Sequence, residues 1–194
     1  MDGCTKLSHK IILASASQRR RELLSQMGYK FEIVVQPCAE VFDEHLPIGR
    51  AIEEVAYQKC QGVANAHPDA IVIGADTIVF IDGRRLGKPH DEMEAYLTLK
   101  TLSGRAHQVY SGVALIYQKQ VTLFHECSDV YFRKLSDEEI REYIATDEPY
   151  DKAGAYGIQG QGGKFVDHIE GEYDNIVGLP CKKLGKILKG IMNQ

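Results

Sequence analysis

One carboxylate stands inside an apolar run. Ile71-Val72-Ile73-Gly74-Ala75-Asp76-Thr77-Ile78-Val79-Phe80 is otherwise mostly β-branched or apolar, the pattern of a strand covered on both faces. An ionised aspartate there costs roughly several kcal/mol to desolvate unless it is paired or holds a metal ion. The small pair Gly74-Ala75 lets a backbone or a ligand come close. The plain alternative is a strand end at which Asp76 turns the chain.

Three other stretches carry positive charge in constrained settings. Ser15-Ala16-Ser17-Gln18-Arg19-Arg20-Arg21 follows a short apolar strand, Lys10 to Ala14, and opens a helix with Leu23, Leu24 and Met27 at helical spacing. Ser17 is a candidate N-cap and Gly28 a candidate stop. Arginines in a first helical turn oppose the helix dipole, and an anion such as phosphate bound to the free N–H groups would relieve the conflict; a solvated basic turn is the alternative. Lys59 falls on the apolar stripe Ile52, Val55, Val63 of a helix running from Pro47 to about Ala66, where it either snorkels outward or reaches a polar cavity. Lys88 is held between Gly87 and Pro89 by stiff backbone, or is an ordinary loop lysine. Five glycines crowd Pro149 to Gly163, which implies tight turns and close approach, without the GxxxxGK[ST] of a Walker loop.

These stretches need elements to position them. Phe31 to Val35 reads as a second strand, followed by irregular Gln36 to Glu44. Asp82-Gly83 signals a type I′ hairpin. Asp91 and Glu94 cap a helix reaching Leu102. Val109 to Tyr117 and Val121 to Phe132 alternate as antiparallel strands about a turn at Gln118 to Gln120. Ser136 and Glu139 form a capping box before Ile140, Tyr143 and Ile144. A strand resumes at Phe165-Val166, Gly171 breaks it, and a final helix turns Leu184, Ile187, Leu188 and Ile191 inward. His107 and His125 lack metal-spaced partners and read as hydrogen-bonded structural residues.

The chain has 194 residues, 44% hydrophobic and 26% charged, which suits one soluble domain spanning 1–194. A net charge of −4 argues against binding a nucleic-acid polymer. No run approaches a membrane span, and Met1 to Lys10 is polar without a signal-peptide core. Cys4, Cys38, Cys60, Cys127 and Cys181 show no CxxC spacing and read as reduced thiols of a cytoplasmic protein.

Taken together, Ser15-Ala16-Ser17-x-Arg19-Arg20, Gly74-Ala75-Asp76-Thr77, Gly87-Lys88-Pro89, the long Asp151–Gly160 segment and Tyr173-x-Asn175-x-Val177-Gly178-Leu179-Pro180 resemble the Maf (septum formation inhibitor) family of nucleoside triphosphate pyrophosphatases. The resemblance runs from about Ile11 to Leu188, and Asp76-Thr77 with the Asp151–Gly160 segment is similar to its dTTP/UTP branch. It implies an elongated mixed α/β sheet flanked by helices, with a cleft between two lobes as in inosine triphosphate pyrophosphatases. It implies hydrolysis of a nucleoside triphosphate to the monophosphate and pyrophosphate, with a divalent cation (Mg²⁺, Mn²⁺ or Co²⁺). Asp76 would be the proton acceptor; Arg19, Thr77 and Gln159 the selectivity positions; Ser15, Arg20, Lys59 and Lys88 the phosphate set; and Glu40, with Asp76, the metal side. The sequence departs from the family at Gln18, where a proline is usual, and at Cys38-Ala39-Glu40, where several carboxylates are usual and Asp43 and Glu44 are the next available.

The residue chemistry agrees. Triphosphate hydrolysis needs cations on the non-reacting oxygens, a divalent ion and a base that orients water. A nucleotide-binding regulator without hydrolysis is the alternative, but it would gain nothing from Asp76 and Glu40 beside phosphate. A homodimer is left open.

Overall fold

In the computed structural model, which describes residues 9–193, seven strands form one mixed sheet. They are β1 (Ile11–Leu13), β2 (Glu32–Ile33), β3 (Ile71–Ile81), β4 (Arg84–Leu86), β5 (Ala106–Tyr117), β6 (Gln120–Phe132) and β7 (Val166–Glu170). Their order is β2-β1-β3-β5-β6-β7, with β4 added to β3. Around them lie α1 (Gln18–Gln26), α2 (Ile48–Ala66), α3 (Glu92–Leu102), α4 (Asp137–Ile144), α5 (Tyr173–Val177) and α6 (Cys181–Met192).

The long antiparallel strands β3, β5 and β6 form a spine that serves two lobes. In the first, strand alternation sends Ile71 and Ile73 toward Leu23, Leu24, Leu184 and Leu188 of α1 and α6. Val72, on the other face, packs with Ala56, Cys60 and Val63 of α2. In the second lobe Val79, Val109 and Val130 pack with Leu99 and Leu102 of α3 and Ile140 and Tyr143 of α4.

Two glycines set how close α2 lies. A Cβ at Gly74 would stand 2.5 Å from the Ala56 carbonyl oxygen, and one at Gly112 2.4 Å from that of Ile52. The close approach expected at Gly74 is therefore made by a helix backbone.

The edge of β3 is the second decisive feature. β1 pairs with Ile71–Ile73 and β4 with Val79–Ile81, while β5 pairs along the opposite edge. Residues 74–78 are thus laddered on one edge only, and a gap opens beside Asp76 and Thr77.

Local signals held where they were chemically specific. Ser17 caps α1 by accepting from the Arg20 N–H, Asp91 caps α3, and Ser136 with Glu139 completes a capping box. Asp82 and Gly83 have φ of 51° and 75°, as a type I′ turn requires.

Three readings shift. The second hairpin turns on Gln118 and Lys119 alone, with φ of 49° and 66°, while Gln120 already pairs with Tyr117; a two-residue turn matches the strand twist. β2 is two residues rather than Phe31 to Val35, because β1 ends at Leu13 and the last ladder bond is Val34 N–H to the Leu13 carbonyl, 3.3 Å. Helix α5 carries no strong sequence signal and is anchored by buried Asn175. Cys4 and the polar start of the chain lie outside the described residues.

Candidate active site

The gap in β3 is the floor of a cleft of about 1050 Å³, and all nine residues singled out from the sequence line it. Successive strand residues point to opposite faces. Asp76 therefore meets α2, while Thr77 meets α1 and the turn after α5, and both border the open edge.

On the α2 side, the Lys59 ammonium donates to Asp76 Oδ1 at 2.5 Å and lies 3.1 Å from Glu40 Oε2. Lys59 and Asp76 side chains are 18% and 20% exposed, so their attraction is less screened than that of a surface pair. This answers the desolvation problem that Asp76 posed in the sequence. Two carboxylates converge on one cation, an arrangement reached because Gly74 and Gly112 let α2 settle onto the sheet.

Glu40 comes from the irregular segment after β2, which is tied down next door. The Gln58 carboxamide accepts from the Val41 N–H at 2.8 Å and donates to the Val41 carbonyl at 3.0 Å. Arg85 of β4 lies over the Phe42 ring, 4.3 Å from its centroid, so this segment touches the second lobe.

On the other face Arg20 is a hub. Its Nε donates to the Gly178 carbonyl at 2.9 Å, Nη1 to Ser15 Oγ at 3.3 Å and Nη2 to Thr77 Oγ1 at 3.0 Å. Burial presses its pKa down, Asp76 pulls it up, Arg19 adds repulsion and Glu40 a further pull; a guanidinium nevertheless stays charged. Arg20 thus spends three of its five N–H groups on orienting its neighbours, a structural duty that sequence alone did not reveal.

The glycine-dense segment supplies the far wall. It folds as three short 3₁₀ turns, Glu148–Asp151, Ala153–Ala155 and Gln161–Phe165. The Gly154 N–H donates to the Gly87 carbonyl at 3.0 Å, which ties this wall to the loop of Lys88. Gly154 has φ of 73°, and a Cβ there would lie 2.9 Å from Val79 Cγ2, so glycine is required on both counts. Arg19, Lys88 and Gln159 line the cleft with no intramolecular side-chain hydrogen bond recorded among the described residues.

Three residues of this wall, Glu148, Asp151 and Lys152, were not among the site residues expected from the sequence. Glu148 accepts from the N–H groups of Gln161 (2.9 Å) and Gly162 (3.0 Å) and from the Tyr143 hydroxyl (3.0 Å). Burial raises its pKa, but those donors and Lys152 outweigh it and the net shift is downward. Asp151 is likewise lowered: burial opposes, while the bond from Lys152 and the charges of Lys152, Arg19 and Lys88 prevail. The signal available was two acids and a lysine heading a glycine-rich run.

The histidines are structural. His107 Nε2 lies 2.7 Å from the Tyr156 hydroxyl, and His125 Nδ1 2.7 Å from Glu53 Oε1. Among the described residues no group of three or more His, Cys, Asp or Glu could hold a metal ion.

The profile of the family described as Maf-like protein matches residues 10–191. The chain belongs to the Maf-like family. Among the relatives of this Maf-like chain, a dTTP/UTP pyrophosphatase of Bacillus cytotoxicus is 48% identical over 180 residues, covering 93% of this chain and 94% of the relative. A Bacillus cereus dTTP/UTP pyrophosphatase is 49% identical, covering 93% and 89%. The solved Staphylococcus aureus Ham1 protein matches 93% of this Maf-like chain and 98% of its own length, with a TM-score of 0.57 at 15% identity. That likeness establishes the shared fold, the elongated mixed sheet expected from the sequence.

Proposed function

We propose that this protein hydrolyses pyrimidine nucleoside triphosphates, dTTP and UTP first among them, to the monophosphate and pyrophosphate. The observation that carries the reading is Asp76, held by Lys59 beside Glu40 at the one open stretch of the central strand. Relatives 48–49% identical over 93% of the chain, named for that activity, point the same way.

The site's own residues account for the chemistry. Water attacks phosphorus and the anhydride bond between the α and β phosphates breaks, releasing pyrophosphate. Asp76 accepts the water's proton, and the Lys59 contact holds its carboxylate in place. Arg19 and Lys88 offset charge on the non-reacting oxygens, and Ser15 lines the same cleft. Arg20 holds Ser15 and Thr77 in place. Thr77 and Gln159 read the base.

The donor set fits a divalent cation. Asp76 and Glu40 already converge on the Lys59 ammonium, and Mg²⁺ is commonly held by one or two carboxylates plus substrate phosphates. Held by the carboxylate oxygens of Asp76 and Glu40 that Lys59 leaves free, together with substrate phosphate, such an ion would neutralise phosphate charge as it develops. The cytoplasm suits the free thiols of Cys38, Cys60, Cys127 and Cys181. Nucleic-acid polymers are not expected partners at a net charge of −4.

Asp76→Asn keeps the shape but cannot take a proton. Pyrophosphate release from UTP should fall by roughly 10²-fold or more while UTP binding persists. Turnover near wild type would remove Asp76 from this role.

A further inference from the structure

Behind Thr77 lies a polar group that does not line the cleft. Ser111 of β5 is fully buried and is the cross-strand partner of Thr77. Its Oγ lies 2.8 Å from the Asn175 carbonyl oxygen and 2.8 Å from Thr77 Oγ1. A hydroxyl has one proton and two lone pairs, and a carbonyl can only accept. Ser111 therefore gives its proton to Asn175, and the contact with Thr77 is a hydrogen bond only if Thr77 donates. Arg20 Nη2 fills one Thr77 lone pair from the other side, at 3.0 Å.

Thr77's proton has one other internal acceptor, the Gly178 carbonyl at 3.5 Å, which already receives Arg20 Nε. Choosing it would leave Ser111 and Thr77 oxygens 2.8 Å apart with no proton between them. Either way the proton stays inside the protein. The supports are firm: the buried Asn175 side chain donates to the Val109 carbonyl and to Ser128 Oγ, both at 3.0 Å, and Ser128 donates to the Glu172 carbonyl at 3.0 Å.

We infer that Ser111, held by Asn175, fixes Thr77 as an acceptor-only contact, and that this polarity separates bases with an imide N–H, uracil and thymine, from cytosine. The inference rests on the reading that the base is recognised at Thr77. A uracil or thymine ring nitrogen between the two carbonyls carries a hydrogen, which the remaining Thr77 lone pair accepts. The same nitrogen of cytosine carries a lone pair and would face Thr77 with no proton between them. Buried acceptors opposed in this way are costly, and sites built on such bonds discriminate strongly. Ser111 is a positioning residue: it acts through Thr77.

The test is kcat/KM for UTP and CTP on wild type, Ser111→Ala, Thr77→Val and the double variant. Wild type should favour UTP by at least ~10-fold. Ser111→Ala leaves the Thr77 proton only the long 3.5 Å contact to the Gly178 carbonyl, which already receives Arg20 Nε, so the proton can turn to the base and the UTP/CTP ratio should fall several-fold, chiefly because CTP improves. On the Thr77→Val background the Ser111 substitution should leave the ratio unchanged, since its intermediary is gone. Equal slowing of both substrates by Ser111→Ala, with the ratio intact, overturns the inference, as does a ratio change that survives in Thr77→Val. If Ser111→Ala fails to fold, Ser111→Cys, whose thiol is a much weaker acceptor, takes its place under the same criteria. Equal wild-type rates for UTP and CTP would refute base reading at Thr77 and this inference with it. If no nucleotide is cleaved, the hydrolytic reading fails instead, and UTP and CTP affinities of the same variants, measured by calorimetry, put the inference to the same test.

Discussion

Gly112→Ala tests whether the Asp76–Lys59 contact depends on how closely α2 packs. Gly112 is the cross-strand partner of Asp76, and an added Cβ would lie 2.4 Å from Ile52 O, 2.5 Å from Ile52 C and 2.8 Å from Glu53 N, all helix backbone. Reaching even a 3.0 Å contact requires 3.0 − 2.4 = 0.6 Å of retreat, and an ordinary 3.4 Å contact requires 3.4 − 2.4 = 1.0 Å. Because the obstruction is backbone, the helix must move as a unit, and Lys59, two turns on, moves with it. Overpacking of this kind costs about 1–3 kcal/mol, or roughly 2–12 °C in Tm for a chain of this size. A displacement near 1 Å at a reacting group can cost ~10²-fold in rate, so kcat should fall between roughly 10- and 100-fold. The assays are thermal melting and pyrophosphate release at saturating UTP. Gly190→Ala is the control: a Cβ there meets nothing within 4 Å, and alanine is the better helix former. Wild-type turnover in Gly112→Ala would refute the claim that α2's approach sets the site.

Other outcomes follow from the same geometry. Lys59→Met keeps volume but removes the cation shared by Asp76 and Glu40; turnover should fall by roughly 10²-fold, while the retained volume should leave Tm little changed. A collapse in Tm would make Lys59 primarily structural. Gln159→Ala should slow UTP more than CTP, because a carboxamide matches one donor and one acceptor of the uracil edge; parallel losses in kcat/KM would remove Gln159 from base reading. Burial holds His107 down at about 4 from 6.5, so the unfolded chain takes its proton near pH 6.5 and the folded chain only near 4. Stability should be full above pH 6.5 and decline by up to about 3 kcal/mol on acidification toward pH 4. In urea titrations across that window, His107→Gln should lose this part of the slope; an unchanged slope would assign it elsewhere.

What the sequence determined by itself was local and chemical. Ser17, Asp91 and Ser136 specify helix starts through bonds made within three residues. Asp82-Gly83 specifies a turn because both positions adopt positive φ. The nine cleft residues were named in two ways: Asp76, Arg19, Arg20, Lys59 and Lys88 stood in settings that strained or constrained the chain locally, whereas Ser15, Thr77, Gln159 and Glu40 came only from the resemblance to a family. Tertiary structure alone decided the connections. That Asp76 is met by Lys59 depends on Gly74 and Gly112 lying on adjacent strands beneath α2, a juxtaposition set by sheet register. That Arg20 orients Thr77 rather than only facing solvent depends on Gly178, 158 residues away, arriving beside it. Glu148 organises the glycine wall because the chain folds back on it. The gap in β3 exists because β1 ends at Leu13, beside Ile73, and β4 ends at Leu86, beside Val79. Sequence patterning marks where strands lie, but how far each extends and which edge remains open depend on how the strands pair.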